Sequence, residues 1–69
     1  MSDIDTLKAE IKKLSAKAIN MKMNLHDLSE DLPTNWHTIP AVAEETFNSF
    51  KALEDARKAL KELEAKAAA

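Results

Sequence analysis

An unbroken heptad repeat of apolar residues constrains the fold of this 69-residue chain more than any other feature. In the first half of the chain the apolar residues alternate spacings of three and four: Ile4, Leu7, Ile11, Leu14, Ala18, Met21, Leu25, Leu28 and Leu32. This period places them along one stripe of an α-helix, the pattern that supports left-handed helix packing. The sequence therefore predicts a long first helix at about residues 3–32.

Two prolines mark the connector that follows this helix. Pro33 disfavours a helical conformation of the residue before it, so we expect the first helix to end near residue 32. The connector is predicted to cover residues 33–38, with Thr38 as the N-cap of a second helix and Pro40 in its first turn. At the other end of the first helix, Ser2 is the predicted N-cap.

A second helix is predicted at about residues 39–66. Its second half keeps the heptad through Leu53, Ala56, Leu60, Leu63 and Ala67. Continued backwards, the same frame places Val42, Thr46 and Ser49 on the apolar stripe. Because two neighbouring helices with a short connector must lie antiparallel, we expect an all-α, coiled-coil-like hairpin that forms a single domain over residues 1–69.

A hairpin of this length buries little of its own surface and normally needs further stabilisation. The chain has no Cys, so disulfides cannot provide it. Ile19, Met23, Phe47 and Phe50 lie beside the apolar stripe and are expected to widen it, which is typical of a bundle of more than two helices. We therefore expect the free protein to be a homodimeric four-helix bundle; the alternative is a hairpin that docks the same face on a larger protein.

The composition argues against several classes of function. Ten Lys and Arg residues against twelve Asp and Glu residues give a formal charge of −2, which disfavours a general nucleic-acid binder. No apolar run approaches a membrane span, and the N-terminus does not resemble a signal peptide, so a soluble cytoplasmic protein is expected. The absence of Gly and Cys excludes a Gly-rich phosphate loop and a Cys nucleophile, and we expect no enzymatic activity.

The candidate functional residues gather where the first helix ends. Asp27, Glu30 and Asp31 lie in its last turns, where a negative charge opposes the helix dipole and costs about 0.3–1 kcal/mol per group. This placement predicts a docking surface for a basic patch on a partner protein; the alternative is that Asp31 caps the turn and Asp27 pairs with a neighbouring chain. The predicted partner-binding residues are His26, Asp27, Glu30, Asp31, Asn35, Trp36 and His37.

Two of these residues allow more than one interpretation. Trp36 is either a lid that closes the loop end over Leu32 and Phe47, or an exposed anchor for a partner. His26 and Glu30 are four residues apart and share a helical face, and an imidazole with a carboxylate suits a divalent metal ion. Two ligands per chain make a weak metal site, which a two-fold axis could double, and no other cofactor is expected.

The segment Leu-His-Asp-Leu-Ser-Glu-Asp-Leu-Pro at residues 25–33, followed by Asn35 and Trp36, resembles a family of small Rop-like nitrogen-fixation proteins. The resemblance extends over roughly residues 7–60. It implies a fold similar to the RNA-binding ROP hairpin, a cytoplasmic location, and a nitrogenase component or cofactor-assembly intermediate as partner, in particular the molybdenum–iron protein. It also implies His26 as the residue that would carry a metal. An RNA-binding hairpin that uses Lys8 and Lys12 remains a further alternative.

Overall fold

The computed structural model describes residues 3–68, which form an antiparallel helical hairpin. Helix α1 covers Asp3–Asp31 and helix α2 covers Ile39–Ala68, and a 3-10 turn at Trp36–Thr38 precedes α2. The predicted all-α hairpin is confirmed, and α1 ends one residue before Leu32, as the following proline requires. The predicted N-cap of α1, Ser2, lies outside the described residues.

The contact between the helices follows the predicted heptad. From Ile4 to Leu28 and from Val42 to Leu63, the residues at heptad positions are buried or half-buried along one row of each helix, which we call the seam, whereas Ala67 is exposed. The backward extension of the frame in α2 is confirmed, since Val42, Thr46 and Ser49 all lie on the seam. Leu32 departs from the expectation: it lies beyond the end of α1, in the turn, and is exposed.

The seam encloses very little volume. Among the described residues, Ala18 and Leu53 are the only buried apolar side chains, at 0% and 5% exposure, and Ser49 is buried between the helices with them. No large side chain is fully buried in this part of the chain. Small residues at the middle of the seam therefore allow the two helices to approach closely, but they provide only a thin core.

The expectation that Met23 widens the seam is wrong. At 100° per residue, Met23 lies about 200° around α1 from Met21 and from Leu25, both of which lie on the seam. It consequently points away from α2 and is exposed. Ile19, Phe47 and Phe50 are exposed as well, but each follows a seam residue directly and so lies on the flank of the hairpin.

The connector is a compact hydrogen-bonded turn. The backbone N–H of Thr34 donates to the carbonyl oxygen of Asp31 at 2.9 Å, and that of Trp36 donates to the carbonyl oxygen of Pro33 at 3.3 Å. The Leu32–Pro33 peptide bond is cis. The first of these bonds satisfies a carbonyl group that the end of α1 would otherwise leave unpaired, and the second closes the connector itself.

Asn35 and Thr38 complete the entry into α2. Asn35 has φ 59° and ψ 25°, the left-handed region that Asn tolerates better than most residues. Its carbonyl oxygen accepts the backbone N–H of Thr38 at 2.9 Å and the Thr38 hydroxyl at 2.7 Å. Thr38 immediately precedes α2, but the hydrogen bond found for its hydroxyl is one that it donates back to the turn, and not the bond that an N-cap side chain accepts from the helix.

The hairpin is a thin rod of 53 × 16 × 14 Å. Its radius of gyration of 15.8 Å exceeds the roughly 11 Å expected of a globular chain of this length. Over residues 3–68, no helix combines the length and the apolar character needed to cross a bilayer. The connector forms one tip of this rod, and Asp3 and Ala68, the first and last described residues, lie towards the other tip.

Candidate functional site at the loop end

The seven residues predicted to bind a partner are all exposed at the loop end of the rod. The last turn of α1 contains no basic residue, so the carboxylates there are not offset by cationic side chains of that turn. The backbone carbonyl of Asp31 accepts the hydrogen bond that opens the connector. The side chain of Asp31 is exposed.

His26 is at the centre of the acidic side chains of α1. Its Nε2 atom lies 3.3 Å from Oε1 of Glu30, and its Nδ1 atom lies 3.9 Å from Oδ1 of Asp27. All three side chains are mostly exposed, so these contacts orient the groups and add little to the stability of the helix. The Ser29 hydroxyl donates to the carbonyl oxygen of His26 at 2.7 Å, within the same turn of α1.

Trp36 projects from the tip of the hairpin. It is 65% exposed, and its only described ring neighbour is His37, whose ring packs edge-on with a centroid distance of 6.1 Å. The interpretation of Trp36 as a lid over Leu32 and Phe47 is therefore wrong for the hairpin. The alternative interpretation, an exposed aromatic anchor, agrees with this geometry.

An apolar crevice of about 110 Å³ opens beside the connector. It is lined by Leu25, Leu28, Ser29, Leu32 and Ile39. The sequence does not reveal this crevice, because the heptad assigns its leucines to a closed seam. The sequence feature that could have indicated the crevice is the position of Leu32 and Ile39 on either side of the connector. No further turn of helix follows there to cover these two side chains.

The two residues predicted as metal ligands are neighbours on α1. His26 and Glu30 lie together as predicted. Within residues 3–68, however, no group of three or more His, Cys, Asp or Glu side chains is placed to hold a metal ion. His37 thus does not join the pair in such a group, and this part of one chain offers two ligands at most.

Charge is unevenly distributed along the rod. Residues 17–53, the loop half as divided by the midpoints of α1 and α2, contain five acidic residues and three Lys, a formal charge of −2. The remaining residues, which form the open half, contain seven basic and seven acidic residues, a formal charge of 0. The overall charge of −2 is therefore carried by the loop half.

A family model described as Rop-like matches residues 2–65 of the chain. A UPF0437 protein of Azorhizobium caulinodans is 80% identical over 69 residues, which cover 100% of both proteins. A UPF0437 protein of Frankia alni, named for its place in the nifX–nifW intergenic region, is 38% identical over 48 residues, or 70% of this chain and 58% of the relative. These names state no reaction.

The fold also matches a solved structure. An NMR structure of a structural-genomics target superposes with a TM-score of 0.84 and 46% sequence identity, covering 94% of this chain and 92% of the other. The hairpin architecture is thus shared across almost the entire length of both proteins.

Proposed function

This chain belongs to the Rop-like family, and on that premise we propose that it is a non-catalytic accessory protein of nitrogen fixation. It binds a nitrogenase component, in particular the molybdenum–iron protein, or an intermediate of cofactor assembly, and it stabilises or protects that partner. The link to nitrogen fixation is supported by the motif at residues 25–36 and by the printed name of the Frankia alni relative. The same link supports a cytoplasmic location.

The observation that carries this proposal is the exposed Trp36 at the tip of a negatively charged rod. Tryptophan is enriched among the residues that dominate the free energy of protein association. It offers a large apolar surface that loses little conformational entropy on binding. The tip of a thin rod can also enter a concave surface that a broad globular protein cannot reach.

The acidic residues have a separate role in the proposed docking. Asp27 and Asp31 raise the free energy of their own helix because they lie at its negative end. A basic patch on the partner compensates for this cost and gains favourable contacts with both carboxylates. Complementary charge of this kind raises the association rate and discriminates against wrong partners.

Binding of the purified molybdenum–iron protein to the immobilised full chain tests the proposal. We expect Trp36→Ala to weaken binding by at least about tenfold, the effect of losing an interface anchor. Asp27→Lys should slow association, most clearly at low ionic strength. Met23→Ala removes an exposed apolar side chain elsewhere, and Asp55→Lys makes the same charge change in the open half; both are matched controls. Equal affinity of all four variants and the wild type would reject the loop-end site.

A second candidate function is divalent-metal binding, favoured by the 3.3 Å contact between His26 and Glu30. Such a protein would act as a metal carrier or sensor, and a second chain would have to supply further ligands. Calorimetric titration with ferrous iron, nickel and zinc distinguishes this candidate. Binding heat that disappears in His26→Ala supports it, and heat that survives this substitution, or no heat, removes it.

A further inference from the structure

The loop end combines a projecting aromatic ring with an apolar recess. Trp36 projects from the tip, and the crevice beside the connector is lined by residues of both helices. Two of its walls, Leu32 and Ile39, are 41% and 39% exposed, whereas Leu25 and Leu28 are half-buried on the seam. Four aliphatic side chains thus surround a recess that is open to solvent, and contact of apolar surface with water is unfavourable.

The chemistry of the lining favours an apolar occupant. Ser29 is the one polar residue among those that line the crevice. Its hydroxyl has a single proton, which it donates to the carbonyl oxygen of His26 at 2.7 Å. The side chains of the crevice therefore offer no further hydrogen-bond donor, and a polar group that entered would lose its bonds to water without full replacement.

The volume of the crevice limits the size of the occupant. A cavity of about 150 Å³ lined by apolar side chains holds one benzene molecule. The crevice has a volume of about 110 Å³, which is too small for the ring of a Phe or Trp side chain. Its size and its lining together suit a branched aliphatic side chain, that of Val, Ile or Leu.

The connector holds the walls of the crevice in place before any partner arrives. Leu32 lies within the turn that the bond from the backbone N–H of Thr34 to the carbonyl oxygen of Asp31 closes. Ile39 directly follows Thr38, whose backbone N–H and hydroxyl both donate to the carbonyl oxygen of Asn35. Because the recess is already formed, binding does not have to order these two segments, and this lowers the entropic cost of association.

The charges nearest to the crevice are negative. The carboxylates within four residues of Leu28 are those of Asp27, Glu30 and Asp31. The nearest basic residues in the sequence are Lys22, six residues before Leu28, and Lys51, twelve residues after Ile39. At 1.5 Å per residue these cations lie about 9 Å and about 18 Å along the rod from the crevice. A partner segment is therefore attracted to the crevice if it carries positive charge beside its apolar side chain.

We propose that the crevice receives one branched aliphatic side chain from a segment of the partner protein in which Lys or Arg residues lie beside that side chain. The inference rests on the proposed docking function and specifies the chemistry of the partner that the loop end recognises. Contact then runs in both directions, since Trp36 inserts into the partner and the partner's side chain inserts into the hairpin. Two such insertions fix the orientation of the tip, which a single anchor leaves free to rotate.

Titration of the methyl-labelled full chain with short peptides tests the crevice without any partner protein. The probes are end-blocked peptides of the form Lys-Ala-Xaa-Ala-Lys, with Leu, Asn or Phe at the centre. We expect the Leu peptide to shift the methyl NMR signals of Leu28, Leu32 and Ile39 and to bind about tenfold more tightly than the Asn peptide. The Phe peptide should bind more weakly than the Leu peptide.

Three results of this titration would overturn the proposal. The first is that the Leu peptide leaves these methyl signals unchanged. The second is that the Asn or the Phe peptide binds as tightly as the Leu peptide. The third is that the same signals shift as the concentration of the chain rises without peptide, which would identify a second copy as the occupant.

A pair of matched variants shows whether the peptide enters the crevice. Ser29→Leu places an aliphatic side chain at its mouth and should weaken binding of the Leu peptide by about tenfold. Ser15→Leu makes the same substitution at the equivalent heptad position, directly after Leu14, and should bind as the wild type does. Leu is a stronger helix former than Ser, so both variants are expected to fold, which circular dichroism checks. Equal affinity of the two variants would overturn the proposal.

Binding of the molybdenum–iron protein separates this proposal from the function on which it rests. If the Leu peptide binds as expected and the molybdenum–iron protein does not bind the wild type, only the proposed function is refuted. If Trp36→Ala weakens binding of the molybdenum–iron protein and Ser29→Leu leaves it unchanged, the docking function stands and the role of the crevice is refuted.

Discussion

The Thr46 hydroxyl of α2 lies 3.3 Å from the carbonyl oxygen of Met21 in α1 and 2.8 Å from that of Val42 in its own helix. It is half-buried on the seam, so the polar contact lies between apolar turns of the two helices. The hydroxyl has a single proton, which the shorter contact within α2 and the longer contact across the seam share. The polar contact between the helices therefore adds to a register that is set mainly by the packing of the seam.

Substitutions of Thr46 separate the hydrogen bond from apolar packing. Thr46→Ala removes both and should lower the free energy of unfolding by about 1 kcal/mol. Thr46→Val should stay within about 0.5 kcal/mol of the wild type, because its additional methyl group buries apolar surface while the bond is lost. Urea denaturation at one fixed protein concentration measures both values, and an equal loss in the two variants would show that the hydroxyl dominates.

The close approach of the two helices at Ala18 predicts a larger change in the free energy of unfolding. Ala18 is completely buried between the helices, so Ala18→Leu inserts volume for which the seam has no space. We expect it to destabilise the hairpin by about 1–3 kcal/mol. Ala16→Leu lies two residues earlier on the exposed face of α1 and should stay within about 0.5 kcal/mol. Thermal unfolding of both variants followed by circular dichroism tests this, and equal stability would contradict the packing described at Ala18.

The helices and their seam could be predicted because they depend on local periodicity. The heptad identified the positions of Thr46 and Ser49 on the seam even though both residues are polar, since the frame of the second half of α2 extends through them. Pro33 located the end of α1 through its steric effect on Leu32. The loop-end residues were recognised for a similar reason: acidic side chains at a helix C-terminus are anomalous on electrostatic grounds alone.

Features that depend on the relation between the helices could not be predicted. The crevice at Leu32 and Ile39 exists because the connector turns before the seam closes, which the repeat does not encode. The grouping of Ile19 with Phe47 and Phe50 on one flank follows from the predicted antiparallel direction once the position of each residue relative to the seam is known. Met23 lies two residues from Met21 and from Leu25, and at this spacing an apolar residue faces the opposite side of the helix from the stripe.

The left-handed backbone of Asn35 yields a prediction with an internal control. With φ 59°, a residue with a Cβ atom and no short polar side chain costs about 1 kcal/mol at this position. We expect Asn35→Ala to lower the unfolding free energy by about this amount, and Asn35→Gly to leave it nearly unchanged because Gly adopts this conformation freely. Urea denaturation of the two variants measures both free energies of unfolding. Equal stability of Asn35→Ala and Asn35→Gly would contradict a conformational role of Asn35.

The carboxylate of Asp31 should affect stability and partner binding in opposite directions. In Asp31→Lys a cation replaces an anion at the negative end of the α1 dipole, where the last turn has no basic residue. We expect the unfolding free energy to rise by about 0.5–1 kcal/mol at low ionic strength. The same substitution should weaken binding of the molybdenum–iron protein, because it removes a negative charge from the docking surface.

Asp3→Lys provides the opposite control for this prediction. Asp3 lies in the first turn of α1, where an anion is favourable, so its replacement should lower stability by about 0.3–1 kcal/mol and leave partner binding unchanged. Denaturation curves and binding isotherms for both variants separate the two effects. If Asp31→Lys stabilises the hairpin and binds the partner as the wild type does, the acidic end of α1 is not part of the docking surface. If it destabilises the hairpin, the Asp31 carboxylate has a structural role within the turn that the dipole does not describe.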